Sequence, residues 1–202
     1  MKTKNFFKHI GFMATCILIF TTTTAFVNRS KAPDNRCETG KDNSAEFYRP
    51  NAPFRNNLLT KDAPVIMKIN VSGIVYTDCN TPLSNALLEV WHTNDYGEYD
   101  NSKDFNYRAS LKTDAEGKYS FQTIIPGKFS HGEAYRASHI NFRISSKNHH
   151  EIITQIYFKD DPYIASDPVA SKPAAAERIL PIIEDKTGKQ VVFNIYLAKV
   201  EL

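Results

Sequence analysis

The sequence predicts an all-β protein, a single β-sandwich with long irregular arms. Three observations lead there. About seven short segments rich in Val, Ile, Thr, Tyr and Phe follow one another at close spacing between residues 65 and 200. Asp114-Ala-Glu-Gly117 separates two of them as a hairpin turn would. No stretch carries the 3.6-residue apolar period of a long amphipathic helix. Close-spaced strands without helices leave a sandwich or a barrel as the layer solutions.

Val65 to Tyr76 alternates and is β-branched, so it reads as the first strand. Asn80-Thr-Pro82 marks a turn, and Ala86 to Thr93 (ALLEVWHT) reads as the next strand. Phe105 to Thr113 and Lys118 to Ile125 flank the Asp114–Gly117 turn. Tyr135 to Ser145 alternates, turns at Ser146 to His149, and is followed by Glu151 to Phe158. Asp160 to Lys186 holds four prolines and reads as irregular, with at most a short helical turn from Ala174 to Ile179. Gln190 to Val200 reads as the last strand. No internal repeat or low-complexity tract interrupts this order.

The ends divide the chain further. Lys2, Lys4 and Lys8 precede an apolar run from Ile10 to Phe20, and Thr21 to Ala25 supplies small residues. That order is a signal-peptide pattern, too short for a membrane span, and it predicts an exported protein, periplasmic or extracellular. Residues 1–25 are thus expected as leader, 26–62 as an extended polar arm with Pro33, Pro50 and Pro53, and 63–202 as the sandwich domain. The formal charge of +3 falls to zero without the leader's three lysines. A neutral chain offers no electrostatic case for nucleic acid or an anionic membrane surface. Cys37 and Cys79 are the cysteines outside the leader. In an exported protein they form either a disulfide tying the arm to the first hairpin or two unpaired thiols.

The residues that could carry chemistry cluster between Val90 and Gln155. His139 and Asn141 alternate with Ile140, so they share one face of a strand. A lone strand histidine is more often a hydrogen-bonded core or rim residue than a ligand. Tyr99 follows Gly97 just past the strand containing Trp91, where an amphipathic edge residue is the ordinary explanation. Taken together, however, VWHTN followed by G-x-Y, FNYR, TDAEGKYSF, IIPG, YRASHINF and TQIYF resemble, in order, the core of the intradiol ring-cleavage dioxygenases. Catechol 1,2-dioxygenases and protocatechuate 3,4-dioxygenase chains are the best-known members. The resemblance spans roughly residues 63 to 162.

The resemblance implies a non-haem Fe(III) held by two tyrosinates and two histidines inside a β-sandwich. It implies a catechol-like aromatic diol and O₂ as substrates, with room for a homo-oligomer. Tyr99 and His139 match the first tyrosine and first histidine ligands. Phe129 and Asn141 occupy the other two ligand positions. Phe129 has no donor atom, and an amide is a poor replacement for imidazole at a ferric centre. Arg136 matches the arginine that stabilises negative charge on the substrate ring, and Gln155 a glutamine beside the site. His131, on the loop beyond Phe129, is a candidate substitute ligand or a solvated loop residue. Tyr96, Tyr107 and His92 lie near in sequence, His149 and His150 read as a solvent-facing turn, and Arg136 could instead pair with a carboxylate such as Glu98. The leading expectation is an intradiol-type dioxygenase with an atypical ligand set. The alternatives are a catalytically silent sandwich binding an aromatic or other small ligand in the same cleft, and an envelope carbohydrate-binding or structural module.

Overall fold

The computed structural model describes residues 37–42, 45–132 and 134–201, with only the backbone of His131. The expected leader and the first part of the arm lie outside the described residues. Two sheets face each other. One is built around the long strand β1 (Lys68–Thr77), which pairs with β2 (Thr81–Pro82), β5 (Lys118–Ile124), β12 (Gly188–Val192) and β13 (Ile195–Leu197), while β11 (Ile183–Asp185) pairs with the far side of β12. The other is five-stranded, in the order β10 (Ile179–Leu180), β9 (Ile152–Phe158), β8 (His139–Ser145), β3 (Leu87–Trp91) and β4 (Arg108–Lys112). A small hairpin of β6 (Phe129–His131) and β7 (Ala134–Arg136) stands apart. The architecture is all-β, as the strand spacing predicted.

Between the sheets, Val71, Val75 and Phe121 meet Leu88, Val90, Phe142, Ile144 and Ile156, all buried. Ile140, Phe142 and Ile144 belong to this core. Alternation along β8 therefore places His139, Asn141 and Arg143 on the sheet's outer face. Register aligns a row of residues across that face: Arg108 opposite Trp91, Trp91 opposite Asn141, and Asn141 opposite Gln155.

The outer face is covered. The arm crosses it as a strap: Asp42 N–H donates to Ile153 O, Glu46 O accepts from Trp91 Nε1 at 2.9 Å, and Phe47 O accepts from Arg108 Nη1 at 2.6 Å. Further along, Ala52 O accepts from Ser110 Oγ, and Leu58 is buried. Cys37 and Cys79 form a disulfide that fixes the strap's beginning to the β1–β2 turn. A second cover comes from residues 160–178, where Ala170 and Ala175 pack with Ala137 and Tyr157.

Several strand boundaries differ from expectation, each for an identifiable backbone reason. Val65–Met67 is a 3₁₀ turn closed by Met67 N–H on Pro64 O, and Val65 and Ile66 are exposed, so the alternation there marks no strand. Phe105 and Tyr107 take positive φ, 54° and 56°, which delays β4 to Arg108. The expected Tyr135 to Ser145 strand breaks at Ala137-Ser138, whose N–H groups are taken by the carboxylates of Asp167 and Asp161. The last strand splits at Phe193-Asn194. There Asn194 Oδ1 accepts from Ile74 N–H, and Phe193 O lies so close to Gly73 that a Cβ would sit 1.8 Å from it. Among the described residues no helix is long and apolar enough to cross a membrane.

Candidate functional site

Two loops deliver Tyr99 and Phe129, and they cross backbone against backbone. Asn94 organises the crossing. Its Oδ1 accepts from Tyr96 and Glu98 N–H, and its carbonyl accepts from Gly97 and Gly127 N–H. Gly97 has φ +84°, and a Cβ on it would sit 2.0 Å from Lys128 O; a Cβ on Gly127 would sit 2.4 Å from Asp95 O. Glycine at both points is therefore a steric requirement. It explains the G-x-Y and P-G-x-F spacing in the sequence.

Tyr99 arrives 3.2 Å from His139 Nε2 and 3.1 Å from Asn141 Nδ2. Phe129 meets Tyr99 edge to face, with ring centroids 5.4 Å apart. Phe47 of the strap stacks on Tyr99 at 4.3 Å and packs against Phe129 at 5.1 Å. Arg136 and Gln155 lie behind Asn141. Arg136 Nη2 donates to Gln155 Oε1 at 2.9 Å, and Gln155 Nε2 donates to Asn141 Oδ1 at 2.7 Å. Tyr99, Phe129, Arg136, His139, Asn141 and Gln155 therefore form one contiguous cluster.

The hydrogen bonds have a fixed direction. Arg136 can only donate. Arg136 and Tyr157 both present donors to one Gln155 oxygen, so the other end of Gln155 is its amine. That amine requires the oxygen of Asn141, which turns the Asn141 amine toward Trp91 O at 3.0 Å and toward Tyr99. His139 Nδ1 sits 2.7 Å from Ala137 O and must carry the proton, leaving Nε2 as acceptor for the Tyr99 hydroxyl. Polarity thus runs from Arg136 through Gln155, Asn141 and Tyr99 to His139. Burial lowers the pKa of His139 to about 4, helped by the charge of Arg136. Burial also raises Tyr99 above its ordinary value, against the Asn141 hydrogen bond and the Arg136 charge. Both groups are neutral at neutral pH, as the donor and acceptor roles require.

Arg136 is anchored by Asp167, not by Glu98. Its Nε donates to Asp167 Oδ2 at 2.8 Å, whereas Glu98 accepts from Asn94 Nδ2. Burial raises the Asp167 pKa, but donors from Ala170, Arg136 and Val169 outweigh it and hold the carboxyl below its usual range. The other candidates lie apart. His92 is fully buried and bonded to Thr93 O and Thr123 Oγ1. Tyr107 reaches Thr60, and Tyr96 is exposed. His149 is held between Lys147 O and Thr77 Oγ1, with His150 exposed. His131 closes β6, but its side chain lies outside the described atoms. Sequence reasoning missed Asp167 and Phe47. Asp167 sits in an aperiodic stretch with no signal; the Phe47-Tyr48 aromatic pair inside a polar arm was the available hint for the other.

A four-ligand ferric ion does not fit this donor set. Tyr99 Oη and His139 Nε2 are suitable atoms, but Phe129 offers carbon, and Asn141 points its donor amine where a lone pair is needed. Among the described residues no group of three or more His, Cys, Asp or Glu could hold a metal ion. Beside the cluster, Arg136 and Gln155 open onto a cavity of about 360 Å³ shared with Lys41, Asp42, Val169 and Arg178.

The sandwich and this cluster define the class. The sequence model of a family described as "Dioxygenase" matches residues 44–198. The chain is 39% identical over 115 residues to a catechol 1,2-dioxygenase 2 of Acinetobacter lwoffii, covering 47% of this chain and 41% of that protein. It is 35% identical over 142 residues to the protocatechuate 3,4-dioxygenase beta chain of Burkholderia cepacia, covering 60% of each. Among solved structures, the dioxygenase domain of a dioxygenase carbohydrate-binding protein fusion from Streptomyces sp. SirexAA-E superposes with TM-score 0.70 at 26% identity, covering 82% of this chain and all of that domain. The 3-chlorocatechol 1,2-dioxygenase of Rhodococcus opacus 1CP shares the fold, with TM-score 0.68 at 23% identity over 76% of this chain and 70% of that one. The chain belongs to the intradiol dioxygenase family. It spans 41% and 60% of the lengths of the two curated relatives above.

Proposed function

We propose that the chain is a ligand-binding member of the intradiol dioxygenase family, one that holds a small molecule at the Arg136–Gln155 cavity without the family's four-ligand ferric centre. The observation that carries this reading is the direction of the network. Gln155 holds the Asn141 oxygen, so the Asn141 amine faces Tyr99 and presents a donor where a ligand lone pair is needed. The cavity lies within the size range of ligand sites, roughly 300–1,000 Å³. Export fits the Cys37–Cys79 disulfide, since such bonds persist in oxidising compartments.

The test is aerobic reconstitution with ferric iron, followed by metal analysis and a visible spectrum. The expected result is substoichiometric iron and no phenolate-to-iron charge-transfer band. Stoichiometric iron with that band would overturn the reading.

One observation favours a second reading, an iron-dependent dioxygenase acting on a catechol-like diol with O₂. His139 is anchored through Nδ1 on Ala137 O, which leaves Nε2 as the available nitrogen, and it lies 3.2 Å from Tyr99 Oη. That is the tautomer and orientation a metal-binding histidine takes. This reading needs at least one further ligand, for which His131 is the candidate, and Arg136 and Gln155 would then border the substrate.

A further inference from the structure

Resting on the ligand-binding reading above, we infer that the cavity beside Arg136 takes a small organic carboxylic acid, held through its carboxylate. Arg136 lies in the wall with its side chain only 9% exposed. Nε is taken by Asp167, and Nη2 by Gln155 and Tyr157. Among the described residues Nη1 has no hydrogen-bond partner. A buried guanidinium facing a cavity with one idle donor nitrogen is a directional site for an anionic oxygen, since such charge-assisted bonds are the strong ones.

The surrounding charges nearly cancel, which leaves room for one anionic group at most. Lys41, Arg136, Lys172 and Arg178 line the cavity, with Asp42 and Glu46. Asp42 is spent in a forked pair with Arg178, and Lys41 holds Glu38 at 2.5 Å. Asp167 stands behind Arg136 and balances it. Arg178 is fully committed to Asp42, Thr154 and Gln155 O except for Nε, which is buried with no partner. Glu46 offsets Lys172 in charge, so the cationic donor left for a ligand is Arg136 Nη1, with the exposed ammonium of Lys172 beside it. That suits one carboxylate better than a doubly charged phosphate. Pro168, Val169, Ala174 and Ala175 complete the lining. They call for a hydrocarbon body behind the carboxylate, so the ligand class is an aromatic or branched aliphatic acid.

The experiment is calorimetric titration of the full, disulfide-intact chain at pH 7 with benzoate, benzyl alcohol, catechol and inorganic phosphate. Benzoate is expected to bind at one site, at least about tenfold more tightly than benzyl alcohol or phosphate, reflecting one charged hydrogen bond. Arg136→Gln should weaken benzoate about tenfold or more. Lys172→Glu, at an exposed position, should weaken it while leaving the circular dichroism spectrum intact, and it decides the matter if Arg136→Gln fails to fold. Benzoate binding no tighter than the neutral alcohol, insensitive to Lys172→Glu, or absent would overturn the carboxylate inference. Binding of catechol alone would overturn it while leaving the ligand-binding reading standing. An iron-phenolate band in the reconstituted protein would overturn that reading instead.

Discussion

The side-chain amine of Asn141 donates a 3.1 Å hydrogen bond to the Tyr99 hydroxyl, and this contact makes the cluster a closed polar network. The same position filled by a lone-pair donor would turn both side chains toward a shared ion. Restoring the missing ligands is therefore informative. Phe129→Tyr with Asn141→His adds a phenolate and an imidazole. The double variant is expected to take up iron and acquire a visible charge-transfer band that the parent lacks, read by metal analysis and absorbance. A parent that already carries the band, with no gain in the variant, contradicts the network argument.

Asn141 should also matter for stability in its own right. Asn141→Leu leaves Gln155 Nε2 and Trp91 O without their partner. Each orphaned buried group costs roughly 1–3 kcal/mol. Urea unfolding followed by the fluorescence of the single tryptophan, Trp91, should show a lowered midpoint with unchanged slope. A midpoint equal to the parent's would mean that water or a side-chain shift replaces the lost bonds.

The loop crossing predicts a graded glycine series. Gly127→Ala places a Cβ 2.4 Å from Asp95 O, and Gly97→Ala adds strain at φ +84° to a 2.0 Å clash with Lys128 O. Both variants should destabilise by about 2 kcal/mol or more. Gly132→Ala, at φ +65° with nothing within 4 Å, should cost only the left-handed penalty of roughly 1–2 kcal/mol. Equal effects at all three sites in thermal unfolding would rule out the steric account.

His92 gives the fold a pH dependence. Burial lowers its pKa to about 4, whereas the unfolded chain titrates at the ordinary 6.5. Between those values the unfolded state binds the extra proton. The contribution is thus fully present above pH 6.5 and is lost as pH falls through the window to about 4. The slope within it is up to about 1.4 kcal/mol per pH unit. His92→Gln should flatten the stability profile between pH 4 and 6.5 relative to the parent, measured by denaturant titration at each pH. Parallel profiles would show that His92 does not titrate on unfolding.

The disulfide closes a sequence separation of 42 residues. On the chain-entropy model its loss costs about 4 kcal/mol. The double change Cys37→Ser and Cys79→Ser should lower the urea midpoint accordingly. It should also loosen the strap, which changes Trp91 emission because Trp91 Nε1 is bonded to Glu46 O. An unchanged midpoint would place the strap's stability in its contacts with the sheet alone.

The sequence by itself determined the all-β class, the hairpin at Asp114–Gly117 and the shared face of His139 and Asn141, because alternation and turn chemistry are local properties of the chain. The ordered motifs also placed Tyr99, Phe129, Arg136 and Gln155 around that face. Only the tertiary structure decided what the site is made of. Asp167, not Glu98, anchors Arg136, and Phe47 lies over Tyr99; both come from aperiodic segments folded back across the sheet by long-range hydrogen bonds. The same holds for one strand end. Gln190 to Val200 breaks at Asn194 because the side chain of Asn194 accepts from Ile74 N–H, a partner distant in sequence, whereas Val65 fails as a strand for a local reason, a 3₁₀ turn closed by Met67 N–H on Pro64 O. The polarity of Asn141 is the clearest case. The residue type allows either orientation, and the choice is imposed by Arg136 acting through Gln155, a relay that exists only once strands β8 and β9 lie side by side.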